Sequence, residues 1–144
     1  MLRKLLQVVL RRWFVVEDRT EFRSPSINDE YEAAFLVDGR RVCVTVETAV
    51  NSDEEAEQLA KRIFDFSVAN DRPFRRRLVT DSLEIQKAVH PKLSLTAARL
   101  FTLTKLNYIR VMDGSVWLFY SAEGCCSMQI TLDESWELVF AGVN

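Results

Sequence analysis

The sequence predicts a single α+β domain: an antiparallel sheet built from a middle hairpin and a C-terminal meander, with two to three helices packed on one face. Three observations carry this. Period-two apolar alternation flanks an Asp-Gly pair at residues 31–48, as in a tight hairpin. Helical periodicity and stop signals fill residues 52–103. The stretch 106–143 then holds short alternating segments separated by turn residues.

Taken in order, residues 1–23 form a lead-in. Leu2, Leu5, Leu6, Val9, Leu10 and Trp13 recur at the spacing of one helical face, with Arg3, Lys4, Gln7, Arg11 and Arg12 around the rest. The expectation is a basic amphipathic helix to about Leu10, its stripe covering the sheet, then a strand through Val16; a strand from Val8 onward competes with it. Arg11 and Arg12 end the apolar stretch early and no small-residue cleavage site follows, so it is read as part of the mature protein. Residues 24–30 concentrate loop formers and make a connection.

In the hairpin, Asp38-Gly39 suits the positive φ angles of a type I′ turn, and Val42, Val44 and Val46 share one face. Ser52 begins a helix, its hydroxyl capping free amides while Glu55 reaches back, with three carboxylates where the macrodipole favours them. That helix runs to about Ala69 on an Ala56, Leu59, Ala60, Ile63 and Phe64 stripe, and Asn70-Asp71-Arg72-Pro73 ends it. A second helix covers Phe74 to Val89 and stops at Pro91; Ser94 caps a short third through Leu103. In the meander, Asp113-Gly114 turns the chain. Both faces of Val116–Tyr120 are apolar, as in a central strand covered on both sides. Met128, Ile130 and Leu132 alternate with Ser127, Gln129 and Thr131, Asp133-Glu134-Ser135 turns again, and Trp136, Leu138 and Phe140 finish the sheet.

Composition bounds the function. Nineteen basic and 21 acidic side chains leave a formal charge of −2, no global attraction for phosphate backbones, so nucleic acid is disfavoured. No apolar run approaches the roughly 20 residues of a membrane span. Cys43, Cys125 and Cys126 lack zinc or disulfide spacings, which favours a reducing cytoplasm. With His90 the only histidine, no His-based triad or His-rich metal site assembles, and it reads as a helix C-cap. No GxGxxG, P-loop or GxSxG occurs. The expectation is no catalytic residues, no cofactor and no metal.

The order LSLTAARLF, strand, DG turn, a strand ending LFY, a Gly-containing loop, MQITLD and a closing AGV resembles a bacterial family of small domains of unknown function, often encoded near polymorphic toxin systems and suspected to be immunity proteins. The similarity covers roughly residues 35–143. Where such domains carry Gly-Gly-His before the penultimate strand, this chain has Gly124-Cys125-Cys126, so no role of that His carries over. The resemblance implies a non-enzymatic protein-binding module that occludes a cognate toxin. Candidate partner-binding residues are the cationic cluster Arg72, Arg75, Arg76 and Arg77, which opposes the macrodipole of its helix, with Glu123, Asp133, Glu134 and Trp136 from the loops of the meander. The alternative is a small-ligand or nucleic-acid-binding regulator using the arginines with Trp117 or Tyr120.

Overall fold

The structure, a computed structural model, describes residues 13–15, 21–23, 30–47, 50, 52–125 and 127–143. The expected helix to Leu10 and the connection at 24–29 lie outside the described residues. Strands β1 (Trp13–Val15) and β2 (Glu21–Arg23) precede β3 (Tyr31–Val37) and β4 (Arg40–Val46). Helices α1 (Asp53–Ala69), α2 (Asp71–Val89) and α3 (Ala97–Leu103) follow, then β5 (Thr104–Met112), β6 (Ser115–Ala122), β7 (Ser127–Asp133) and β8 (Leu138–Val143).

The eight described strands share one sheet in chain order. Every neighbouring pair is antiparallel except β4 and β5, which run parallel. The exception follows from the chain between them. Antiparallel neighbours close through tight turns, but a parallel return needs a long crossover, and the helical segment supplies it. Hairpin and meander are thereby joined edge to edge into the predicted α+β sheet.

The three described helices cover one face. Phe64 of α1 stacks on Phe35 at 4.3 Å between ring centroids. From α2, the Ser82 hydroxyl lies 3.4 Å from the Met128 sulfur, and Leu100 of α3 is buried in the same core. The sheet contributes Val44, Ile109, Leu118 and Ile130, which line up across β4 to β7 and are fully buried. Hydroxyls caught in this layer bond back to the preceding helical turn: Ser67 to Ile63 O, Ser82 to Leu78 O and Thr104 to Leu100 O. Their polar groups therefore enter the core satisfied.

Turn and cap chemistry accounts for most boundaries. Asp38 and Gly39 both take positive φ, 49° and 78°, as a type I′ turn requires, whereas at Asp113-Gly114 only the glycine does. Ser52 caps α1 by accepting from Glu55 N at 3.1 Å. His90 is the C-cap of α2, its amide donating to Gln86 O.

Four sequence expectations change. Helix α2 begins at Asp71, not Phe74, because Pro73 occupies the first turn, where its missing N–H has no intrahelical partner to lose. Asn70 alone separates α1 from α2 and both its amides donate to Phe66 O. Thr96, not Ser94, caps α3: its hydroxyl accepts from Arg99 N, while Ser94 sits at φ 50° after a 3-10 turn at Pro91–Leu93. Strand β6 alternates strictly between buried Val116, Leu118, Tyr120 and Ala122 and half-buried Ser115, Trp117, Phe119 and Ser121; the described helices cover only the first set. Finally, Trp136 lies in the β7–β8 turn at φ 62°, and a bulge at Val139 turns Leu138 and Phe140 to opposite faces.

Candidate interaction surface

The sheet face opposite the helices is built by two bulges as much as by alternation. Within β5, Leu106 pairs with Tyr120 and Tyr108 with Phe119, leaving Asn107 as the extra residue. Without that insertion Tyr108 would follow Leu106 into the core, because residues two apart share a face. The Val139 bulge does the same for Phe140. The result is two adjacent cross-strand rows: Cys43, Tyr108, Phe119, Gln129 and Gly142 in one, Thr45, Arg110, Trp117, Thr131 and Phe140 in the other.

The rings form a continuous cluster. Tyr108 and Phe119 stack with centroids 5.6 Å apart, and Trp117 meets Phe119 edge-on at 6.1 Å. All three are half-buried. Phe140, 48% exposed, lies over Gly142, where a Cβ would come within 3.0 Å of its Cζ. Polar partners hold the rings in place. The Tyr108 hydroxyl donates to Thr45 Oγ1 at 2.7 Å, and Arg110 grips Glu47 through both forks, Nη2 to Oε1 at 2.7 Å and Nε to Oε2. That bond is the main reason the Glu47 carboxyl is held below the usual carboxylate range and Arg110 is held still more firmly protonated.

The residues singled out from the sequence lie elsewhere. Arg72, Arg76 and Arg77 are exposed on α2, with Arg77 paired to Asp81 at 2.8 Å. Among the described residues Arg72 and Arg76 make no ion pair. Arg75 turns inward: it bonds Asp71 at 3.2 Å and Phe101 O at 2.5 Å, and its guanidinium stacks 4.1 Å from the Phe101 ring. It ties α2 to α3. Glu123 and Glu134 are exposed in separate turns. Asp133 organises the β7–β8 turn, its Oδ1 accepting from Ser135 N and Glu137 N. Trp136 packs on Phe66 at 5.2 Å, pinning that turn to the α1–α2 corner. No hydrogen bond or ion pair among the described residues joins the arginines to these acidic turns.

Of the two rings in the alternative reading, Tyr120 shares Asp71 with Arg75 but is buried, and Trp117 lies on the opposite face. Tyr120 is 1% exposed on the helix side, its hydroxyl 3.3 Å from Asp71 Oδ1, and burial pushes its pKa well above the ordinary value. Trp117 faces away from the helices altogether. What sequence reading did not resolve is the aromatic cluster on the open face. Its only local signal was Trp117 and Phe119 at i and i+2; Tyr108 and Phe140 reach it through bulges that period-two counting cannot foresee.

Among the described residues no helix is long and apolar enough to cross a membrane. Cys43 carries a free thiol, and Cys126 lies outside the described residues. Comparison of the chain with protein-family models, curated proteins and solved structures finds no match.

Proposed function

We propose that this chain is a non-enzymatic protein-binding module that receives its partner on the open sheet face. The observation that carries the reading is the Tyr108, Trp117 and Phe119 cluster, partly exposed on a face that none of the described helices covers. Protein interfaces concentrate aromatic anchors and arginine in a central patch rimmed by polar groups. Here Thr45, Gln129 and Thr131 stand beside the rings, and the Arg110 charge is already balanced by Glu47. That balance favours a protein over a polyanion. The resemblance to toxin-associated domains makes the most concrete partner a bacterial toxin that the chain occludes, in a reducing cytoplasm compatible with the free Cys43 thiol.

Co-expression with the toxic product of an adjacent gene tests this. Rescue of growth is expected, lost on combining Trp117→Ser with Phe119→Ser and kept on combining Arg72→Ser with Arg76→Ser. Failure to rescue from any adjacent product sinks the toxin reading. The regulator reading retains Arg72 and Arg76 as exposed surface cations; salt-dependent RNA or DNA binding abolished by their removal would favour it instead.

A further inference from the structure

Strand β8 closes the sheet and, among the described strands, has a neighbour on one side only. Its other side offers backbone N–H and C=O groups to any strand that can approach, and soluble proteins commonly protect such edges with lysine, proline or inward-pointing charge. The six residues of β8, LVFAGV, include none of these. Its bulge at Val139 stands near the start and leaves Phe140 to Val143 in unbroken register.

The helix layer ends in the same way. Helix α2 packs on β7 and β8, where the Ser82 hydroxyl reaches Met128, the residue paired with Val143. Further along the same helical face stand Ile85 and Val89. Ile85 is 52% exposed, Val89 62%, Val139 61% and Phe140 48%, the four most exposed large apolar side chains among the described residues. One such residue alone needs no explanation, but apolar groups left open on both layers of one edge mark an interaction site.

We propose that β8 pairs antiparallel with β8 of a second copy about a two-fold axis through Ala141, making a weak homodimer with one continuous sheet. The strand is complementary to itself in size. Centred on Ala141, the pairing sets Phe140 of one protomer opposite Gly142 of its partner on the open face, because residues opposite each other share a face. Gly142 has no Cβ, and Phe140 already lies over its own Gly142, where a Cβ would come within 3.0 Å of the ring. The glycine therefore leaves room for a second ring beside the first. β8 carries no charge that would select a foreign strand of opposite sign, whereas the two-fold axis sets large against small on the sheet and brings both α2 helices to one side of the seam. The area is small. Six residues make an edge about 20 Å long, and a sheet with one helix layer is roughly 20 Å deep, so each copy covers about 400 Å², the low end for specific association. The two aromatic clusters would then face the same way, although the dimer does not rest on what binds them.

Sedimentation velocity of the intact chain over a concentration series from ~1 µM to ~1 mM tests this. A monomer–dimer equilibrium with a Kd on the order of 100 µM is expected, with no larger species, since an isologous contact closes on itself. Val139→Lys on the sheet, and Ile85→Glu combined with Val89→Glu on the helix, should each raise Kd about tenfold or more. All three positions are solvent-exposed, so the fold is kept. Arg72→Ser with Arg76→Ser, exposed elsewhere on α2, should leave Kd unchanged. A monomer throughout the series overturns the proposal, whether the edge stays empty or is taken by another strand of this chain or of a different protein. Growth beyond a dimer overturns it too, as does a dimer that withstands both edge variants or is abolished by Trp117→Ser instead. Growth rescue by a chain that stays monomeric would refute the dimer and leave partner binding on the aromatic face standing.

Discussion

Glu47 and Arg110 meet beside the parallel junction of β4 and β5, one just past the end of its strand and the other inside its own. The pair is partly exposed, so its worth is modest despite two good bonds: Glu47→Gln is expected to cost about 1 kcal/mol at neutral pH. The pH dependence has a definite sign. Because the folded-state pKa of Glu47 is depressed, chiefly by the Arg110 bond, its contribution is complete above the ordinary carboxylate value of ~4.3 and is lost as pH falls through the lower folded value. Urea unfolding of wild type and Glu47→Gln should therefore give curves that differ at pH ~7 and converge at pH ~3. At this scale Arg75 is the instructive neighbour. In the chain it belongs to a run with Arg76 and Arg77, yet each helical residue turns about 100° from the last, so one arginine of the run points to the core edge while the next two point to water. A charge run is visible in sequence; which member is spent internally depends on Asp71 and Phe101 arriving beside it.

Elements were legible where local chemistry decides them. Ser52 with its acidic first turn, Asp38-Gly39, and the stop at His90-Pro91 all act within a few residues, and the structure places boundaries at them. The third helix was harder, because Ser94 and Thr96 are both capping residues and only backbone direction chooses. Thr96 is extended, at φ −117° and ψ 165°, as a cap must be, while Ser94 is left-handed. Thr96→Ala should destabilise by about 1 kcal/mol. Ser94→Gly should be neutral or stabilising by up to about 1 kcal/mol, since glycine takes that φ without a Cβ penalty. Denaturant midpoints for the two variants moving in these directions would confirm the assignment; a loss in Ser94→Gly comparable to Thr96→Ala would refute it. The bulges at Asn107 and Val139 had no such local signature. An inserted residue is defined by what the partner strand does opposite it, so it belongs to the pairing and not to the strand.

For the whole molecule, sidedness is the property with functional weight. Leu118 and Trp117 are chain neighbours on β6, one fully buried beneath the helices and the other on the open face. Leu118→Ala should cost about 2–5 kcal/mol through lost transfer energy and a residual cavity. Trp117→Ala should cost less, about 1–3 kcal/mol, because part of its ring still meets solvent. Equal losses, measured by chemical denaturation, would mean that something covers both faces alike. The same sidedness explains why the alternative pairing of arginines with Trp117 fails to form one surface: the helices carrying the arginines and the strand carrying the ring meet across the core.

The sequence by itself determined the class of the fold, the hairpin, the two long helices and the apolar face of the meander, because each rests on periodicity, turn dihedrals or caps acting over a few residues. Only the tertiary structure decided that β4 and β5 pair in parallel, that two bulges bring Tyr108 and Phe140 beside Trp117 and Phe119, and that Arg75 turns inward to Asp71 and Phe101. These depend on backbone groups far apart in the chain meeting at a particular register. A one-residue change in register reverses which face a side chain joins, and no local pattern carries that information.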